Sequence, residues 1–334
     1  MKSIKRIAVF LALLVCLSGC AGTHQSGGSY NIYLIAKSST TEFWKAVFSG
    51  ANAAKSEYNV QLTILAPDTE EDFEAQNDYI RQAVADGADA IVFSAISYTE
   101  NAAAIDEAVA AGVRKIAEAA DKTGAGVRVV VIDSDVDSKG VSVRIGTDNV
   151  AAGRMSGEAA LKTAQEKIVV GIVNAYAETQ NCREREQGFR EVLLGDSRVK
   201  GIYAVNVSTD ALEARLAAEK LLREHPEINV LIGFNEPLAV GVAQAVDSLG
   251  LTGQVHAVSF DSNVNCIELL QTGAVAALVV QNSYAMGYLG VEKAWQVLQG
   301  EKFDSTALID TATTIVTKEN MFTMESQKAM FSFG

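Results

Sequence analysis

Four polar side chains stand directly after apolar runs that are typical of buried strands. They are Asp133 after VVVI, Asn235 after VLIGF, Asp261 after HAVSF and Gln281 after VAALVV. Carboxylates and side-chain amides bind hydroxyl and amino groups of small polar molecules. Because the carboxyl ends of parallel strands line one crevice, we expect these four groups to converge on one enclosed ligand. At any single position, a helix N-cap or a solvated loop is the alternative.

The composition excludes several classes of protein. The chain has 334 residues, nearly half of them apolar, and a formal charge of −13 from 28 basic and 41 acidic residues. There is no basic cluster beyond the first few positions, so nucleic-acid binding is not expected. The sequence contains no Walker loop, G-x-S-x-G elbow, H-E-x-x-H motif or paired C-x-x-C motif. We therefore expect no cofactor and no metal ion.

The first 29 residues have the features of an export signal and a tether. Lys2, Lys5 and Arg6 precede an apolar run at 7–17, which ends in LSGC at 17–20. This ending resembles the lipobox of bacterial lipoproteins, in which the cysteine is acylated. Residues 1–19 are predicted to be a signal peptide, and 20–29 a lipidated Cys20 followed by a flexible tether. An uncleaved N-terminal anchor is the alternative, and both interpretations predict a location outside the cytoplasm, on the outer face of the cytoplasmic membrane or in the periplasm.

The elements that position the four polar residues alternate between strands and helices. Apolar runs at 32–36, 60–65, 90–93 and 129–133 are separated by amphipathic stretches, and a second series of runs begins at 168–173. This predicts an α/β protein with two doubly wound parallel sheets in two lobes joined by a multi-strand hinge. The predicted N-terminal lobe comprises 30–147 and 282–308. The predicted C-terminal lobe comprises 148–281 and 309–334.

Two smaller features are a pair of cysteines and a glycine-rich segment. Cys182 and Cys266 follow strands that should not be neighbours in a doubly wound order, so both are predicted to be free thiols. The segment 113–128 lengthens a helix and adds a glycine-rich turn, and it is interpreted as a surface elaboration.

Seven stretches together resemble the type I periplasmic sugar-binding proteins of ABC transporters, over nearly the whole chain after the tether. They are TEFWKAVFSGA, VVVIDSD, IGTDNVAAGR, CREREQGF, GFNEPLAVG, VSFDSN and VVQN. The resemblance implies the periplasmic binding protein type I fold. It also implies that Phe43 and Trp44 clamp the faces of a sugar ring.

By the same resemblance, the polar residues that bind sugar hydroxyls would be Lys37, Ser94, Asp133, Arg183, Asn235, Asp261 and Gln281. Alternatives stay open at three positions. Phe43 and Trp44 could be core anchors of an amphipathic helix, and Arg183 could belong to a surface charge network within CRERE.

The resemblance implies a lipoprotein that captures a small sugar between its lobes, catalyses no reaction and delivers the sugar to an ABC permease. Ser134, Thr41 and Thr209 depart from the ribose-binding pattern, whereas Lys37 matches some hexose-binding members, so a hexose or related monosaccharide or polyol is preferred. A monomer is expected. The alternative is a sugar-sensing subunit for a membrane histidine kinase or chemoreceptor. An enzyme would rest only on Asp133 and Asp261, and neither has a recognisable acid/base partner.

Overall fold

The computed structural model of the protein describes residues 29–118, 127–163, 165–176 and 179–331. The strands in this part of the chain are β1 Asn31–Ile35, β2 Gln61–Leu65, β3 Ala90–Phe93, β4 Arg128–Ile132, β5 Val141–Gly146, β6 Ile168–Ala175, β7 Val199–Val207, β8 Val230–Gly233, β9 His256–Phe260, β10 Val275–Gln281, β11 Leu308–Asp310 and β12 Thr313–Thr317. The helices are α1 Glu42–Tyr58, α2 Phe73–Ala85, α3 Ala102–Glu118, α4 Asn149–Ala160, α5 Gln180–Leu194, α6 Ala211–Glu224, α7 Glu236–Ser248, α8 Val264–Thr272, α9 Ser283–Leu298 and α10 Met324–Met330.

The strands form two sheets of six with the same internal order. One sheet runs β2-β1-β3-β4-β5-β11 and the other β7-β6-β8-β9-β10-β12. Pairing is parallel throughout both sheets except where β12 runs antiparallel to β10. The central strands are buried along their whole length because helices cover both faces of each sheet. The predicted α/β fold with two doubly wound sheets is therefore confirmed.

We use "N-terminal lobe" for 29–147 with 282–310 and "C-terminal lobe" for 148–281 with 311–331. The chain passes between them three times, before α4, before α9 and between β11 and β12. The sequence boundary set at 308 falls inside β11, whose residues Leu308–Asp310 all pair with β5. The last crossing therefore comes after Asp310. The sequence alone misplaced this boundary, because a strand of three residues is too short to show which sheet it joins.

In each lobe, two helices cross at a glycine, where their backbones come very close. In the N-terminal lobe, a Cβ on Gly287 of α9 would lie 1.9 Å from the carbonyl oxygen of Val47 in α1. In the C-terminal lobe, a Cβ on Gly153 of α4 would lie 2.1 Å from the carbonyl oxygen of Arg185 in α5. Only glycine allows the backbones to come this close, and the second crossing fixes the position of Arg185.

Several sequence predictions fall wholly or partly outside the described residues. The signal peptide, Cys20 and most of the tether lie there, and so does most of the turn within 113–128, while α3 continues to Glu118. Within the part of the chain that the structure describes, no helix has the length and apolar character needed to cross a membrane. Cys182 and Cys266 are both buried free thiols, as predicted.

Candidate functional site

Asp133 is the centre of a charged cluster in the N-terminal lobe. It follows β4 with a left-handed backbone, φ 57°, a conformation that aspartate and asparagine tolerate better than most residues. Its carboxylate lies 3.3 Å from Lys37 Nζ, and Ser94 Oγ donates to it at 2.9 Å. Lys37 Nζ also lies 3.5 Å from Glu70. The side chains of Lys37 and Asp133 are almost fully buried, so the cluster is a desolvated carboxylate–ammonium–carboxylate arrangement.

Asp261 holds the equivalent place in the C-terminal lobe. It follows β9, the counterpart of β4, and its φ is 65°. Gln281 Nε2 donates to Asp261 Oδ1 at 2.7 Å, while Gln281 Oε1 accepts from Arg185 at 2.6 Å and from Thr147 at 2.9 Å. The two lobes thus present a matching pair of strand-end carboxylates to the space between them.

The arginine of the site is Arg185, and the prediction of Arg183 is wrong in its placement. Arg183 is exposed and lines no cavity beside Asp133. Arg185 is 1% exposed, and its Nε, Nη1 and Nη2 donate to Asn149, to the carbonyl of Phe234 and to Gln281. Two residues correspond to a rotation of about 200° around a helix, so only one of the two arginines faces inward.

A sequence signal for Arg185 exists in the period of α5. Gly188 and Phe189 are buried, and Arg185 precedes them by three and four residues, the spacing of one helix face. Asn181, four residues before Arg185, shares that face and donates from Nδ2 to Asp133 Oδ1 at 3.1 Å. Asn181 was not predicted for the same reason that Arg183 was chosen: the inward-facing side of α5 was not identified from the sequence.

Phe43 and Trp44 lie together beside the charged groups. Their rings meet edge to face, with centroids 5.1 Å apart and planes at 86°. Phe43 is partly exposed and lines the cavity between the lobes. Trp44 is fully buried in the core of the N-terminal lobe and also borders the cavity, and its Nε1 donates to Glu70 at 2.9 Å. For Trp44, the core and cavity interpretations therefore both apply.

The remaining predicted residues have distinct positions. Asn235 borders the cavity and also caps α7, accepting from the backbone N–H of Leu238 at 3.2 Å. Ser94 is fully buried behind Asp133 and orients that carboxylate, and it does not border the cavity. Glu70 and Glu236 border the cavity and were missed, because nothing in the local sequence marks them as facing the other lobe.

The lobes touch across the cleft and leave between them a narrow, partly open cavity of about 20 Å³. Besides the Asn181–Asp133 contact, Thr179 Oγ1 donates to the carbonyl of Ile96 at 3.3 Å. The cavity is bordered by Lys37, Thr41, Phe43, Trp44, Glu70, Asp133, Asn181, Arg185, Asn235, Glu236, Pro237, Asp261 and Gln281. Its lining is polar, with aromatic rings on one side, and this chemistry suits a ligand with several hydroxyl groups. In this closed arrangement the space is smaller than a sugar, so the lobes must move apart for such a ligand to enter.

Their surroundings shift the pKa of three groups at or near the cavity. Burial alone would lower the pKa of Lys37, but the carboxylates of Asp133 and Glu70 raise it above the ordinary lysine value, so Lys37 is a cation. Burial raises the pKa of Asp261 to about 7, although Arg185 and the bond from Gln281 oppose this. Burial also raises the pKa of the Cys182 thiol to about 11. Asp261 is therefore the group of the site whose charge changes near neutral pH.

Comparison with known proteins identifies the family. The family profile described as "Periplasmic binding protein domain" matches residues 32–302. The chain belongs to this family. Periplasmic binding proteins of type I have the two-lobed, doubly wound architecture seen here.

Named relatives in the family are sugar-binding proteins. The chain is 26% identical over 298 residues to the D-ribose/D-allose-binding protein of Pseudomonas aeruginosa, covering 86% of this chain and 88% of that protein. It is 27% identical over 296 residues to the D-apiose import binding protein of Paraburkholderia graminis, covering 88% of each chain. Both relatives are binding proteins, which agrees with the expectation that this protein is not an enzyme.

Solved structures in the family resemble the chain over most of its length. A carbohydrate transporter solute-binding protein from Agrobacterium radiobacter, in complex with D-arabinose, superimposes with a TM-score of 0.82 at 27% identity, covering 92% of this chain and all of that one. An ABC transporter solute-binding protein from Agrobacterium vitis with bound D-fucose gives a TM-score of 0.82 at 26% identity, covering 90% and 100% of the two chains. Among the described residues of this periplasmic binding protein, histidine, cysteine and carboxylate side chains form no cluster suited to a metal ion.

Proposed function

We propose that this periplasmic binding protein captures one monosaccharide or related polyol between its lobes and delivers it to an ABC permease. A hexose is the preferred ligand, on account of Lys37. The named relatives support a sugar ligand, since the two described above bind ribose, allose or apiose. The ligand-binding residues in this proposal are Lys37, Phe43, Asp133, Asn181, Arg185, Asn235, Asp261 and Gln281, with Trp44 and Ser94 behind them.

One observation carries the proposal: both lobes place hydrogen-bonding side chains around one small cavity. Three N–H groups of Arg185 are used inside the protein, and a guanidinium has five, so two remain for a ligand. Asp133 and Asp261 offer carboxylate oxygens that can accept hydrogen bonds from sugar hydroxyl groups. A partly exposed Phe43 ring adds an apolar surface for the C–H face of a sugar.

Attachment to the membrane through an acylated Cys20 is part of the same proposal. The LSGC sequence at 17–20, after a charged and then an apolar segment, supports it. A protein tethered in this way would stay near the permease that it supplies. Ligand contacts to both lobes would favour the closed form of the protein. A permease could then distinguish the ligand-bound protein from the ligand-free protein by its shape.

Isothermal titration calorimetry tests the proposal with D-ribose, D-allose, D-arabinose, D-fucose, D-galactose, D-glucose and their polyols. Two neighbouring variants form a matched pair. Arg185→Met should weaken binding about thirtyfold to a thousandfold, because it removes charge-assisted bonds at a buried position. Arg183→Met should bind like the unaltered protein, because Arg183 is exposed. Absence of binding across the whole panel would refute the sugar ligand, and equal effects of the two variants would refute the assignment of Arg185.

A further inference from the structure

Glu236 makes an unusual contact between the lobes. It is the first residue of α7 in the C-terminal lobe and is 6% exposed. Its Oε2 accepts from the backbone N–H of Phe43 at 2.8 Å, and its Oε1 accepts from the backbone N–H of Glu42 at 3.1 Å. Asn263 Nδ2, from its own lobe, donates to Oε1 at 2.8 Å and orients the carboxylate.

These contacts complete the N-terminal cap of α1, which belongs to the other lobe. The first four N–H groups of an α-helix have no partner within the helix. Here Thr41 Oγ1 accepts from Trp44, and the carbonyl of Thr41 accepts from Lys45. The N–H groups of Glu42 and Phe43 remain, and Glu236 accepts from both. The helix is therefore capped partly by its own lobe and partly by the facing one.

The position of this cap matters because α1 begins at the wall of the cavity. Phe43, Trp44 and Glu236 all border it. Uncapped amides at a helix N-terminus attract anions such as carboxylate or phosphate. Glu236 occupies these amides with a carboxylate of the protein itself, and in the described part of the chain no lysine or arginine forms an ion pair with it.

The cations that border the cavity are largely engaged as well. Lys37 lies between the carboxylates of Asp133 and Glu70. Arg185 directs three of its donors to neutral acceptors and lies near Asp261. An acidic ligand would therefore meet several carboxylates, and the two unused N–H groups of Arg185 would be the only cationic donors free to bind it among the described residues that border the cavity.

We infer that Glu236 is a specificity-determining residue: by capping α1 across the cleft, it reserves the closed cavity for uncharged ligands and keeps acidic or phosphorylated sugars out. The inference rests on the proposed function for its choice of ligand class. The cap itself is a property of the ligand-free protein and can be tested without knowing the sugar.

Hydrogen–deuterium exchange of the full chain, followed by mass spectrometry of fragments covering 38–48, measures the cap directly. In Glu236→Ala, the amides of Glu42 and Phe43 should exchange about tenfold faster or more, because two bonds to a charged acceptor are lost. Glu236→Gln retains one acceptor and should have an intermediate effect. Glu71→Gln is the matched control, because exposed Glu71 also accepts across the cleft, from the backbone N–H of Thr209 at 3.1 Å. This control should leave the amides of Glu42 and Phe43 unchanged.

Anion access is tested in the same experiment with inorganic sulfate and with D-galacturonate. Either anion should slow exchange at Glu42 and Phe43 in Glu236→Ala and leave the unaltered protein unaffected. Unchanged exchange in both Glu236 variants, or protection by the anions in the unaltered protein, would overturn the inference. Calorimetry of the unaltered protein with the neutral sugars of the panel reports separately on the proposed function. Absence of binding to all of them would refute that function, whereas the exchange results on the cap would still stand.

Discussion

The two strand-end aspartates should respond in opposite directions when their charge is removed. Asp261 is buried with a pKa of about 7, compared with an ordinary value of 3.8. At about 1.4 kcal/mol per pKa unit, the difference amounts to about 4 kcal/mol in the free energy of unfolding at pH 8. Replacing Asp261 by asparagine keeps the shape and the acceptor for Gln281, tolerates the positive φ, and removes this cost.

The sign of the pH dependence follows from proton binding. Between pH about 4 and about 7, the folded protein keeps the proton on Asp261 while the unfolded chain has lost it. The folded state then binds more protons, so the contribution of Asp261 to stability falls as pH rises through this window. Asp261→Asn should therefore match the unaltered protein near pH 4 and exceed it in stability at pH 8.

Asp133→Asn is the matched control at the equivalent position of the other lobe. The Asp133 carboxylate lies 3.3 Å from buried Lys37, so neutralising it leaves that cation with Glu70 alone. We expect a loss of about 2 kcal/mol at pH 8, since breaking a buried ion pair from one side leaves a poorly compensated charge.

Urea unfolding and thermal melting of the ligand-free proteins at several pH values measure both effects. The reasoning is refuted if Asp261→Asn is no more stable than the unaltered protein at pH 8, or if its stability keeps the same pH dependence. A change in the free energy of unfolding of the same sign for both variants would also contradict the reasoning, because the contacts of the two aspartates predict opposite signs.

Three further changes have definite expected outcomes. Trp44→Ala should lower the free energy of unfolding by about 3–5 kcal/mol, because the indole is fully buried and bonded to Glu70, and urea unfolding measures this. Gly287→Ala should cost about 1–3 kcal/mol in the same assay, because the new Cβ would lie 1.9 Å from the carbonyl of Val47; Gly195→Ala, with its nearest atom at 3.4 Å, is the control and should be close to neutral. Cys20→Ala should release the protein from membranes into the soluble fraction with an unchanged melting temperature, and a variant that stays membrane-bound after salt washing would contradict the proposed lipid anchor.

The site residues that could be predicted best are those whose positions depend on strand order alone. A polar residue after an apolar strand of a parallel sheet must lie at the carboxyl edge, so Asp133, Asn235, Asp261 and Gln281 could all be predicted to border one cleft, and all four do. The alternation of strands and helices likewise predicted two sheets, and the structure has the same strand order in each.

Positions that depend on helix rotation were harder to predict. Whether Arg183 or Arg185 faces the cleft is decided by how α5 packs on α4, where Gly153 and Gly188 let the two backbones approach. The spacing from Gly188 and Phe189 favours Arg185, but the neighbouring charges obscured this signal. Trp44 shows the same limit, because a residue at the start of α1 can border the core and the cavity at once.

The amino-acid sequence alone thus determined the fold class and the strand-end residues, because both follow from local periodicity and from the geometry of parallel sheets. Only the tertiary structure decided which groups meet across the cleft. Asn181 reaches Asp133, and Glu236 reaches the amides of Glu42 and Phe43, over separations of 48 and about 194 residues. Such pairs leave no periodic trace in the chain, because they arise from the closure of two independently packed lobes.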